Sequence, residues 1–159
     1  MDKTAPININ RRLHWFAVLT AFVTFLLIGL GGLVTSHGAG MSVPDGPNSY
    51  GYRMFAFPIS KWVGGIFYEH THRLLASTVG LLTTILAVWL WLADSRKWMH
   101  WLGVAAFLGV IIQGILGGLR VVLVNADLGI FHAIIGQLFL VLMCSIALFT
   151  NRFWLELAA

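Results

Sequence analysis

Four runs of mostly apolar residues, at about 13–35, 65–92, 101–123 and 128–150, constrain this chain more than any other feature. Each is long enough to cross the hydrocarbon core of a bilayer, which takes about twenty helical residues. In that solvent every backbone polar group must be satisfied within the protein, so the runs must be helices. Charge points the same way: only 10% of the residues are Asp, Glu, Lys or Arg, against about 25% in soluble domains. The sequence predicts an all-α integral membrane four-helix bundle, a single membrane domain over residues 1–159.

Arg11 and Arg12 precede the first run, which is too long for a secretory signal and lacks a cleavage site, so it reads as a retained helix. Six of the ten basic residues fall in the N-terminal tail (Lys3, Arg11, Arg12), the turn after the second run (Arg96, Lys97) and the C-terminal tail (Arg152). The long connection 36–64 carries only Arg53 and Lys61. The positive-inside rule then predicts both termini in and a long outer loop between helices 1 and 2, in a bacterial-type plasma membrane. Trp91, Trp98, Trp101 and Trp154 fall at run ends, as an aromatic belt requires. The net charge of +4 is dispersed along the chain, which excludes nucleic acid as a partner. Cys144, alone in an apolar run, reads as a buried packing thiol.

Against this background the stretch "IFYEHTHRLLAS" is an anomaly, with Glu69, His70, His72 and Arg73 inside the second run. Glu69 and His72 are three apart and share a helix face, whereas His70 points elsewhere. Ionisable groups inside spans are functional-site candidates by default. A weak internal repeat adds to this. The first and third runs both end in Gly-Gly-Leu, and each following run places a histidine near its outer start, His72 and His132. Two such imidazoles facing each other across a bundle interior suit bis-histidine haem ligation. Arg73 and Arg120 are suited to haem propionates, because a guanidinium matches a carboxylate bidentately; Arg73 is equally suited to an ion pair with Glu69. His14, His37 and His100, near the interfaces, read as packing or helix-end residues. Gln113 and Gln137 read as interhelical hydrogen-bonding groups, and Gly29, Gly32, Gly114 and Gly118 as helix-packing positions. The loop is rich in turn residues yet also holds Met41, Tyr50, Tyr52, Met54, Phe55 and Phe57, so it reads as a compact cap over the outer mouth.

Three stretches, "GGLVTSHGAGMSVPDGP", "EHTHR" and "GGLRV" followed by "FHAIIGQ", occur in the order and topology of a known family. The chain resembles the haem A synthase family of cytochrome oxidase assembly proteins, over nearly its whole length. That resemblance implies oxidation of the methyl group of haem O to the formyl group of haem A, with Glu69 as the catalytic carboxylate and His72 and His132 as axial ligands. It implies haem O as substrate, or haem b, as the bound group. Most members are about twice this long, with two four-helix halves, and the glutamate marks the substrate half. The implied partners are a second copy, or a second four-helix haem-binding half, and haem O synthase. Where many relatives carry a cysteine and a tryptophan in the loop, this chain has Val43 and Gly46, so cysteine-dependent chemistry cannot operate here. Two other classes compete: a bis-histidine b-type cytochrome that carries electrons, and a non-catalytic haem-delivery or assembly factor.

Overall fold

A computed structural model describes residues 10–157; Lys3, counted above for orientation, lies outside them. Of the described residues, 79% are helical. It forms α1 (Arg11–Ser36), α2 (Gly65–Ala93), α3 (Lys97–Val122), α4 (Ala126–Phe149) and a short α5 (Arg152–Leu157). α1 to α4 are each long and apolar enough to cross a membrane, so the protein is a multi-pass integral membrane protein built as a four-helix bundle.

The helix ends are set by local chemistry that hydropathy does not register. Asn10 caps α1, its side-chain oxygen accepting from Leu13 N at 3.1 Å. Asn125 caps α4, accepting from Asp127 N and Leu128 N at 2.9 and 3.2 Å. Each cap satisfies amides that the first turn leaves unpaired. α3 begins at Lys97, four residues before the apolar run, because the α2–α3 turn is shortened by an ion pair. Arg96 Nη2 lies 2.7 Å from Asp94 Oδ2, and Arg96 Nη1 donates to the Phe149 carbonyl at 3.0 Å. This turn is thereby tied to the end of α4. α5, in a stretch expected only as a tail, carries the exposed Arg152–Glu156 pair.

The extensive contacts run α1 to α2, α2 to α3, α3 to α4 and α4 to α1, so α1 faces α3, and α2 faces α4, across the diagonals. Packing is uneven along the axis. Leu13, Ala17, Leu86, Leu90, Met99, Ala106, Met143 and Ile146 form a tight core in the half away from the loop. That core reaches no nearer the loop on α2 than Val79, two turns from His72. The loop half has no comparable cluster among the described residues.

Four glycines expected to pack helices together do not. A Cβ placed on Gly29, Gly32, Gly114 or Gly118 meets nothing within 4 Å, so none of them makes a close helix–helix contact within this chain. Gly103 does pack closely, against the Ala87 backbone. Cys144 is also corrected: it is exposed, on an outward groove between α1 and α4 that also carries Phe22 and Phe25. The exposed apolar surface of the bundle is the lipid-facing surface that a membrane span requires.

The long loop folds back as a cap on α2. Asp45 closes one turn of it, accepting from Tyr50 N at 2.6 Å and Gly51 N at 2.7 Å. Partial burial would raise the Asp45 carboxyl, but the Gly51 and Tyr50 amides and the Arg73 charge outweigh it and hold it below the usual carboxylate range. A lowered folded value means that the stabilisation is fully present above about pH 4 and is lost as pH falls through the folded value. Asp45→Asn is expected to weaken the loop by about 1 kcal/mol. Hydrogen exchange at the Tyr50 and Gly51 amides checks this: the variant should exchange faster at neutral pH, and the wild type should approach it only in acid.

Candidate functional site

The polar turn of α2 divides its labour. Glu69 and His70 are buried, at 4% and 1% exposure, and both face the loop. Glu69 Oε2 accepts from Val43 N at 2.8 Å, and Glu69 Oε1 pairs with Arg73 Nη2 at 2.7 Å. Arg73 then binds the loop backbone: Nη2 donates to the Val43 carbonyl at 2.6 Å, and Nη1 to those of Asp45 and Asn48 at 2.8 and 3.0 Å. Of the two roles the sequence left open for Arg73, the ion pair is the one the structure forms, and both terminal nitrogens are already engaged. His70 Nδ1 lies 3.0 Å from Ser49 Oγ, and its ring packs between Phe57 and Trp62, each with its centroid 4.9 Å away. A carboxylate, an imidazole and a guanidinium therefore fasten the cap to the helix. Buried charge is tolerated there because the partners are hydrogen-bonded.

His72 belongs to a different environment. Its ring lies against α1 at Gly31, where a Cβ would stand 3.2 Å from Cε1, 3.7 Å from Nδ1 and 3.9 Å from Nε2. His132 lies against α3 at Gly117, where a Cβ would stand 3.3, 3.7 and 3.9 Å from the same three atoms. The two glycines occupy the same place in the repeated Gly-Gly-Leu, so the bundle has two matching histidine cradles on diagonal helices. His132 and Arg120 are near enough to His72 for their charges to act on it. Gln113 reaches across from α3, its side-chain amide 3.1 Å from His132 Nδ1 and 3.2 Å from the His132 carbonyl. With nitrogen on that side, its oxygen accepts from Gly136 N at 3.2 Å, so this amide does bridge two helices as expected.

Arg120 closes the site toward the loop. Its guanidinium lies against Gly40, where any side chain would collide with it, and against Gly129, where a Cβ would stand 3.0 Å from Nε. Its Nε is buried without a hydrogen-bond partner, and among the described residues no carboxylate pairs with it. His72 Nδ1 is likewise buried and unpartnered. Unsatisfied buried groups of this kind are costly and call for a partner. Two imidazoles and a guanidinium with an unpartnered Nε, set outside the packed core, suit a flat, iron-bearing dianion.

The residues missed from sequence are Gly31 and Gly117, the Val43 amide and the Ser49 hydroxyl. The repeated Gly-Gly-Leu carried the signal for the first two, but outward and inward glycines look alike in a sequence. The remaining interface histidines behave as expected. His14 Nδ1 lies 3.1 Å from the Ala147 carbonyl, His37 stacks on Tyr68 with centroids 4.2 Å apart, and His100 Nε2 lies 2.6 Å from the Asp94 carbonyl.

Residues 14–154 match the family model described as "Cytochrome oxidase assembly protein" (COX15-CtaA). The chain belongs to this family. Among curated relatives it is similar to "Heme A synthase" of Geobacillus kaustophilus, 31% identical over 125 residues, and to "Heme A synthase" of Shouchella clausii, 30% identical over 125 residues. A third relative, "Heme A synthase" of Alkalihalophilus pseudofirmus, is 30% identical over 116 residues. These alignments take in 71–75% of this chain but only 37–39% of each relative. The chain thus spans well under half the length of the family members it matches. No solved structure matches it.

Proposed function

We propose that this chain is the substrate-binding half of a haem A synthase, oxidising the methyl group of haem O to a formyl group during cytochrome oxidase assembly. The observation that carries this reading is the matched pair of cradles, His72 at Gly31 and His132 at Gly117, in the half of the bundle that lacks a packed core. In it the two imidazoles would hold the haem iron, and bound haem would supply redox chemistry that no side chain here provides. Arg120 pairs with a propionate, satisfying its orphaned Nε. Arg73 acts by position, holding Glu69 and the cap that excludes water. Glu69 is the catalytic carboxylate: converting a methyl to a formyl group with the oxygen of water releases four protons and four electrons, the electrons leaving to a haem held by the second half, and a carboxylate in a dry pocket can take a proton or stabilise a developing cation. A second copy, or a separate four-helix haem-binding half, completes the unit, with haem O synthase as the supplier of substrate.

One observation favours a second reading. Both Glu69 oxygens are engaged, Oε2 by the Val43 amide of the cap and Oε1 by Arg73, which binds the cap in turn, and this gives the carboxylate a structural role sufficient in itself. A bis-histidine electron carrier or a haem-delivery factor needs no more than that. Expression in a host that makes haem O but no haem A separates these. Extraction and chromatography should show haem A for the synthase reading. Unmodified haem that stays bound, with a candidate partner half present, would assign the chain to the carrier or delivery class.

A further inference from the structure

The cradles suggest how the histidines are held, which deepens the haem reading above and rests on it. An imidazole on a helix has two soft torsions, and a metal ligand usually has its ring plane fixed by neighbouring groups. Among the described residues no side-chain carboxylate does this for His72 or His132, although the Gln113 amide reaches His132 Nδ1. Each ring instead brings its Cε1 edge against the adjacent helix, at the first glycine of a Gly-Gly-Leu. For His72 this approach leaves Nδ1 unpartnered in the structure. A Cβ placed on the two glycines would stand at near-identical distances from Cε1, 3.2 and 3.3 Å, on different helices with different neighbours.

We propose that Gly31 and Gly117 are positioning residues that set the two imidazole planes by giving each ring a bare stretch of helix backbone to lie against. A methyl group at either position stands inside ordinary contact distance of the ring, so the ring must turn or withdraw. The adjacent glycines supply an internal control. Gly32 and Gly118 are one residue away on the same helices, yet a Cβ there meets nothing within 4 Å.

The test uses the full chain in detergent, titrated with ferric haem b, for wild type and for Gly31→Ala, Gly117→Ala, Gly32→Ala and Gly118→Ala. The low-spin electron paramagnetic resonance g-values report the mutual orientation of axial imidazole planes. Gly31→Ala and Gly117→Ala should each shift the largest g-value and weaken haem binding about tenfold, while Gly32→Ala and Gly118→Ala keep wild-type values. Gly31→Ala or Gly117→Ala indistinguishable from its control overturns the proposal, and so does an equal shift in all four. The two positions are independent, and elution profile with helical circular dichroism shows that each variant is folded. A wild type that binds no haem, or whose spectrum survives both His72→Ala and His132→Ala, overturns the haem reading together with this one. Wild-type ligation lost in those histidine variants, beside silent glycine variants, overturns this one alone.

Discussion

His72→Ala and His132→Ala are each expected to cut haem content at least tenfold and to abolish the low-spin spectrum of any haem that remains. Loss of groups that merely orient a ligand commonly costs about 10–100-fold in affinity, and loss of the ligand itself should cost no less. The two variants should behave alike, because the rings, borne on α2 and α4, occupy equivalent cradles on α1 and α3. His70→Ala provides the contrast. His70 is more deeply buried than either, but it faces Ser49, Phe57 and Trp62 under the cap. That variant should loosen the loop while leaving the low-spin spectrum in place. Pyridine haemochrome assay and optical spectroscopy of the purified variants check all three, and a His70→Ala that loses axial ligation would reverse the assignment of the two histidines.

The second large effect concerns Glu69. Glu69→Gln keeps a side chain of the same shape and an oxygen able to accept from Val43 N, but removes the charge that pairs with Arg73. On the synthase reading it should lower conversion of haem O by about 10²–10⁴-fold, the range for a lost acid–base group, with haem content near wild type. Measuring conversion and haem content in the same preparation separates chemistry from architecture. If both fall together, Glu69 acts through the cap it holds. If haem content is unchanged while conversion collapses, the carboxylate acts on the substrate. Arg73→Ala should give the first pattern, since it strips three loop carbonyls of their donor and leaves Glu69 buried without its partner. Breaking such a pair costs about 3–5 kcal/mol.

The parts of this molecule legible in its sequence are those governed by local physics. Length and hydropathy suffice for α1 to α4, because a membrane span has few alternatives. The Glu69–Arg73 ion pair is legible from helical spacing alone. What the same turn does beyond that is not. The Glu69 and Arg73 contacts with Val43, Asp45 and Asn48 join residues 25–30 positions apart, and no periodicity reports how a loop returns. Three of the four anomalous side chains serve the cap, so charge in an apolar run signalled a constrained place without separating fastening from ligation. The glycines show the complementary blindness. Gly31 and Gly32 are adjacent and chemically identical, yet only the first faces a histidine. Which of them does so follows from the rotation of α1 in the bundle, a tertiary fact. Cys144 illustrates the inverse problem of a membrane protein: an apolar neighbourhood in sequence means lipid as readily as core.

The central claim, that His72 and His132 together hold one haem iron, is tested most directly by near-infrared magnetic circular dichroism of the ferric haem-loaded wild type. Its charge-transfer band identifies the pair of axial ligands without any substitution. A low-spin bis-imidazole band, at one haem per assembled site, is the predicted result. A high-spin spectrum, or a low-spin band belonging to any other ligand pair, would contradict it.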